Sequence, residues 1–373
     1  MNKRKLLSIF LLTGSVTTVI AQPKVIIKGT IKGDLKDCKK VYVFGDNMEQ
    51  DSVEIRNGRF EISFPWVKDA VPYIYSEYDS KLRKGPPSFP VVVDGPGTVH
   101  IKLDDVTKGL NAGKISGSRS AMAFQNFEYG RVKLRDSIKA VMDARKQGGG
   151  GKLDTAWNLA YLEMTRECLM PYISRFVDAN AGSYIGTFIL ARYQPVIASD
   201  ELERLYNKLG PDQKNSAAGA SVAIRLEGMR KAVIGNQVGE FTLNTPKDEP
   251  IAFSSFRGKY VLIDFWSSWC GPCKASFPHM KEVYKKYRSD QFEILGISID
   301  EDKNAWLKEL DTQQLPWPQL LDTKKIYISE FAVTGVPTIY LISPEGKILM
   351  KEIGFDKNGN GKIEQKLNEL FVK

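Results

Sequence analysis

Trp269-Cys270-Gly271-Pro272-Cys273 holds the residue types of this sequence best suited to chemistry. The run follows an apolar stretch, Tyr260 to Trp266, and leads into an expected helix from about Pro272 to Arg288. Cys270 therefore falls at a helix N-terminus, where unsatisfied N–H groups and the helix dipole favour negative charge. A thiolate there is stabilised relative to that of a free cysteine. Cys273 stands one turn deeper, close enough to close a disulfide with it. Attack by Cys270 on a partner's disulfide would form a mixed disulfide, and attack by Cys273 would release the reduced partner. A zinc site needs a second ligand pair, which neither the remaining cysteines nor His100 and His279 supply at suitable spacing. A purely structural bridge across two residues would constrain very little of the unfolded chain. Redox exchange is the expected chemistry, with no metal.

The elements that must position this pair read as an α/β pattern from Gln237 onward. Tyr260 to Trp266 suits a central strand buried on both faces. Phe292 to Ile299 reads as a second core strand and Lys303 to Thr312 as a second helix. Thr338 to Ser343 and Lys347 to Ile353 form a hairpin across Pro344-Glu345-Gly346, and a last helix runs from about Gly361 to Phe371. Ahead of this, Met122 to Lys146, Leu153 to Asn180, Glu201 to Leu209 and about Ser216 to Val233 show helical spacing of apolar residues. Gly148 to Gly151 breaks the first two helices, Gly210-Pro211 ends the third, and Phe124, Phe127 and Tyr129 read as helix packing, with partner docking as the other reading. From Val25 to about Ile115 the chain reads as β. Strands are expected at Val25 to Ile27, Lys40 to Phe44, Asp51 to Glu54, Arg59 to Phe64, Phe89 to Val93 and Thr98 to Leu103. Asn57-Gly58 suits the positive φ angles of a tight hairpin.

Val261-Leu262-Ile263-Asp264-Phe265-Trp266 followed by Trp269-Cys270-Gly271-Pro272-Cys273-Lys274 resembles the active-site strand and helix of thioredoxins. Gly335-Val336-Pro337-Thr338 resembles the loop that carries their cis-proline. Gly239 to Phe241, the added Phe292 to Thr312 segment and Ser343-Pro344-Glu345-Gly346-Lys347 resemble the exported TlpA/ResA-like branch of that superfamily. The resemblance covers residues 237 to 373 and implies a thioredoxin-like fold. It implies Cys270 as the attacking thiol, Cys273 as the resolving one, and Val336 and Pro337 as the place where an extended substrate segment meets the cysteines. Trp269 would shield the pair and shape the docking surface, while Trp266 reads as packing. Asp264 matches the buried aspartate that takes a proton from the resolving thiol, and burial would raise its pKa toward neutrality. An aspartate solvated at the strand end is the other reading of that position.

The sequence also departs from this pattern. Ser276 stands where exported relatives often carry Glu, many of those relatives lack an acid at the Asp264 position, and Gly296 replaces the lysine that pairs with the aspartate in many thioredoxins. The lead-in to the domain is shortened to Gly239-Glu240-Phe241. Val25 to about Phe64, especially Asp51 to Phe60, resembles a small β domain often found ahead of such exported domains, for which no activity is settled.

The 373 residues are 42% hydrophobic and 26% charged, an ordinary globular composition that excludes a disordered, collagenous or coiled-coil chain. Four cysteines are too few for a disulfide-built scaffold. Asn2 to Lys5 and the uncharged run Leu6 to Ile20 read as a cleavable leader, residues 1–21, too short to span a bilayer. Its removal takes away Lys3, Arg4 and Lys5 from a formal charge of +9, and no basic cluster interleaved with aromatics suggests nucleic acid. Asp356 to Gly361 resembles half of a calcium loop, but position twelve falls on Leu367, so a helix-starting loop is expected. Cys38 and Cys168 stay unassigned.

The expected organisation is multidomain. Leader 1–21 precedes a β-sandwich or barrel-like domain at 22–116, a central α-helical region at 117–236 and an α/β thioredoxin-like domain at 237–373. The expected activity is an exported thiol-disulfide oxidoreductase of the periplasm or cell envelope that reduces disulfides of other envelope proteins. It would use its redox-active cysteine pair, Cys270 and Cys273, and no cofactor. Its partners would be disulfide-containing or dithiol envelope proteins and, for a reductase, an upstream membrane electron donor, with no membrane anchor left after leader cleavage. The alternatives are an oxidase or isomerase using the same site, or an envelope binding protein that carries the thioredoxin-like domain as a passenger.

Overall fold

The computed structural model describes residues 22–45, 48–83, 88–145, 155–354 and 361–371. The leader-like residues 1–21, the four-glycine break and Asp356 to Asn360 of the calcium-loop-like segment lie outside the described residues. The chain divides into two compact units, Met1–Glu128 and Tyr129–Lys373.

The first unit is built on strands β1 (Lys24–Ile31), β2 (Lys40–Gly45), β3 (Met48–Glu54), β4 (Arg59–Pro65) and β5 (Tyr73–Ser76). A short helix α1 (Glu77–Leu82), β6 (Phe89–Pro90), β7 (Gly97–Leu103) and β8 (Lys114–Ser116) follow. They form two four-stranded sheets, ordered β4-β1-β7-β8 and β3-β2-β5-β6. Alternating residues such as Val25, Ile27, Val41, Val43, Ile62 and Ile74 fill one shared core. The barrel alternative is corrected: both sheets stay open, with edge strands β8 and β6 of only three and two residues. Asn57 and Gly58 take φ of 52° and 69° and close a two-residue turn between Arg56 and Arg59. The flanking strands then part, β3 pairing with β2 and β4 with β1. The strand expected at Phe89 to Val93 stops at Pro90, whereas Val91, Val92 and Val93 are buried outside it.

Helix α2 (Arg119–Arg145) contains the boundary between the units, burying Phe124 and Phe127 while Tyr129 is exposed beneath the Lys133 ammonium. In the second unit α3 (Thr155–Ala179), α4 (Tyr184–Tyr193), α5 (Ser199–Lys208), α6 (Pro211–Asn215) and α7 (Ala217–Lys231) precede the sheet. Gly210 and Pro211 separate α5 from α6, Pro at the start of a helix being free of the lost donor. Helix α4 was not expected from the sequence, because it is apolar on most of its surface and lacks a polar face to reveal its period.

The sheet collects β9 (Thr242–Asn244), β10 (Pro250–Ala252), β11 (Tyr260–Trp266), β12 (Phe292–Ser298), β13 (Gln319–Leu321), β14 (Thr338–Ile342) and β15 (Ile348–Ile353). Helices α8 (Gly271–Tyr287), α9 (Lys303–Gln313), α10 (Ile326–Ser329) and α11 (Lys362–Phe371) accompany it. The order is β10-β9-β13-β12-β11-β14-β15, with β11, β12 and β13 parallel and β14 and β15 antiparallel. This is the thioredoxin-like α/β domain expected from the resemblance. β11 sits inside the sheet and is buried on both faces. Val261, Ile263 and Phe265 pack with Phe331 and Tyr340, whereas Leu262 and Trp266 meet α8 through Met280 and Phe277.

Candidate functional site

Cys270 ends the loop that leaves β11 and is the N-cap of α8, with Pro272 in the first turn. Its sulfur accepts the backbone N–H of Cys273 at 3.1 Å. The two cysteines are joined in a disulfide, so the structure shows the oxidised pair. Cys270 is 4% exposed and Cys273 is fully buried, so only the first residue of the pair has any access from outside. The Val336–Pro337 peptide is cis, and the Val336 carbonyl oxygen lies 3.5 Å from the Cys270 sulfur. Trp269, at 68% exposure, stands beside the pair at the surface. The sequence-expected residues Trp269, Cys270, Cys273, Val336 and Pro337 thus come together.

Asp264 lies on β11, six residues before Cys270. The alternation of β11 places it between Leu262 and Trp266, on the face that α8 covers, and it is 2% exposed. The solvated alternative is thereby excluded. Burial pushes its pKa up to about 7, because an ionised carboxylate loses its hydration there. Gly296 is its partner in register on β12, and Gln319 is in turn the partner of Gly296 on β13. A side chain on Gly296 would run into the Gln319 carboxamide, so this glutamine fills the space beside Gly296. Its Oε1 accepts the indole N–H of Trp266 at 3.0 Å. Trp266 is fully buried and packs edge-on against Phe277, which fits its reading as packing.

Sequence reasoning missed three residues here. Asp300, at the end of β12, accepts hydrogen bonds from Ser268 N and Oγ at 2.8 and 2.7 Å and from Ser298 Oγ at 2.6 Å, which pins the loop carrying Trp269 and Cys270. Gln319 and Arg225 are the others, and each reaches the site from an element remote in the chain. The position of Asp300 just past an apolar strand was the one signal available. Ser276 is buried, its hydroxyl donating to the Cys273 carbonyl at 2.7 Å, so it contributes no acid to the pair. His279 is on α8 against Glu364 at 2.9 Å. Cys38 and Cys168 are both free thiols.

Residues 234–351 match the model of the AhpC/TSA family, and residues 25–124 match a domain of unknown function, DUF4369. The thiol-disulfide oxidoreductase ResA of Bacillus subtilis is 34% identical over 115 residues, which is 31% of this chain and 64% of that protein. This chain therefore spans less than two thirds of that relative's length. ResA of Bacillus cereus is 32% identical over 33% of this chain and 72% of its own length. Among solved structures, the thioredoxin domain of a thiol-disulfide oxidoreductase from Bacteroides vulgatus is 30% identical, covering 38% of this chain and 99% of its own, with a TM-score of 0.33.

Proposed function

We propose, from the premise that this chain belongs to the ResA family of thiol-disulfide oxidoreductases, that it reduces disulfides of other exported proteins through Cys270 and Cys273. The observation that carries this reading is a bonded cysteine pair of unequal exposure at a helix N-terminus, preceded by the buried carboxyl of Asp264 on β11.

In the reduced form the Cys270 thiolate attacks one sulfur of the partner's disulfide. That S–S bond breaks, the displaced sulfur leaves as a thiolate and takes a proton from water, and Cys270 is left joined to the other sulfur. Cys273 then gives its proton to Asp264 and attacks the Cys270 sulfur. The bond to the partner breaks, and the second partner sulfur leaves and is protonated. Two electrons have passed to the partner, and the Cys270–Cys273 disulfide is the product. A carboxyl that titrates near 7 is matched to this transfer. Trp269, Val336 and Pro337 form the surface on which the partner segment lies.

The cycle uses two sulfurs and protons and needs no cofactor. A dithiol donor at the membrane would re-reduce the pair, and the leader-like residues 1–21 support action in the cell envelope. Among the described residues no helix is long and apolar enough to cross a membrane. Run in reverse, the same atoms oxidise a dithiol partner, and about 30 mV in potential shifts that balance by about 1.4 kcal/mol.

Insulin reduction tests the reading. Wild type is expected to precipitate the insulin B chain in the presence of a dithiol, with Cys270→Ser and Cys273→Ser at background. Wild type behaving like the two variants would contradict it.

A further inference from the structure

A groove of about 860 Å³ runs from Trp269 and Val336, at the Cys270 sulfur, to Gln194, Pro195 and Arg225 of the helical region. All of these residues belong to the second compact unit. Gln194 and Pro195 lie in a 3-10 turn after α4, and Arg225 lies on α7.

Arg225 is 3% exposed, and its Nε donates to the Gln194 carbonyl at 3.2 Å. Among the described residues its guanidinium forms no ion pair and no other hydrogen bond. A guanidinium keeps its charge and carries several N–H donors, and a buried charge without a counter-charge is strongly unfavourable. Its surroundings add to the imbalance. Lys351 holds its ammonium over the Tyr340 ring at 5.1 Å, and burial together with the Arg225 charge pushes it below the usual range.

The carboxylates that line the groove are already engaged. Asp300 accepts from Ser268 and Ser298, and Asp302 caps the N–H groups of Asn304 and Ala305. The Glu301 side chain is 91% exposed, with Lys325 at 4.0 Å. None of these carboxylates is hydrogen-bonded or ion-paired to Arg225, so the guanidinium at its end of the groove is left without a counter-charge.

Resting on the oxidoreductase reading above, we propose that this groove docks an extended segment of the disulfide-bearing partner, and that Arg225 receives the carboxylate of an acidic side chain close to the partner's cysteine. The partner's cysteine must come to the Cys270 sulfur beside Val336 in order to exchange. From there the groove continues along a wall supplied by the helical region. That wall gives the helices a role in partner choice: a substrate with the right charge gains a desolvated, charge-assisted contact that one with the opposite charge forfeits.

The test uses the full chain and three disulfide-bonded peptides that differ only in the residue beside the cysteine, Glu, Gln or Lys, with hydroxyethyl disulfide as a neutral small substrate. The reduced protein is expected to turn over the Glu peptide about tenfold faster than the Lys peptide in kcat/KM at low salt, with Gln between them and the preference shrinking as salt is raised. Arg225→Met should bring the Glu-to-Lys ratio close to one, and Arg225→Lys should keep part of it. The peptide series is compared on one and the same protein, so a variant of reduced stability leaves the ratio readable. Equal rates of wild type on the three peptides, or a ratio unchanged by Arg225→Met, overturns the docking role and leaves the oxidoreductase reading standing. An Arg225 dependence seen with glutathione disulfide and absent from the peptides overturns the polypeptide assignment. Wild type inert toward hydroxyethyl disulfide and all three peptides overturns the oxidoreductase reading, and the docking role with it.

Discussion

Asp264 holds its carboxyl between Leu262 and Trp266 on the face of β11 that α8 covers, and this placement ties stability to pH. Its folded pKa of about 7 lies above the ordinary 3.8, so between these values the folded chain keeps a proton that the unfolded chain has lost. Stability from this group is therefore full below about pH 4, falls as pH rises toward 7, and is level above that. Asp264→Asn is expected to be more stable than wild type by about 2–4 kcal/mol at alkaline pH, with the difference vanishing in acid. Urea unfolding of both proteins at the two ends of this range measures it. The same variant should release partners about 10- to 100-fold more slowly, because the base proposed for Cys273 is gone. The unequal exposure of the two cysteines makes a separate prediction. Cys273→Ser should accumulate a covalent adduct through Cys270 that dithiothreitol dissolves, visible on a non-reducing gel. Cys270→Ser should form none.

β11, β12 and β13 carry Asp264, Gly296 and Gln319 across the sheet in register. Gly296→Ala would press a methyl group into the Gln319 carboxamide and disturb its bond to Trp266. A loss of about 1–3 kcal/mol is expected, with a change in tryptophan fluorescence on the same samples. The sequence exposed the elements whose pattern is complete in one segment: the apolar run of β11, the helix that opens on the cysteines, and the Asn57-Gly58 turn. It hid α4, whose apolar surface carries no period, and β9, β10 and β13, whose three residues are too few to alternate. The candidate site divides in the same way. Trp269, Cys270, Cys273, Asp264, Val336 and Pro337 stand in stretches recognisable on their own. Arg225, Asp300 and Gln319 matter only for what the fold places beside them.

Across the second unit, the helical region is fastened to the thioredoxin-like domain at α7. Gly228 there lies so close to the backbone of Ile328 on α10 that a Cβ would collide with its carbonyl oxygen. One turn on, the Lys231 ammonium sits between Glu227 and Glu330 at 2.8 and 2.6 Å. Gly228→Ala should push α7 from α10 and lower stability by about 1–3 kcal/mol, because a main-chain carbonyl cannot move aside as a side chain can. Hydrogen exchange should rise first in α7 and α10. The direction of electron flow belongs to the molecule as a whole, since every contact around the pair contributes to it. The reduction potential of Cys270–Cys273, read by equilibration with glutathione or dithiothreitol, tests it most directly. The account predicts a reducing pair, near the roughly −270 mV of thioredoxin, and a value near the roughly −120 mV of a strong disulfide donor would contradict it.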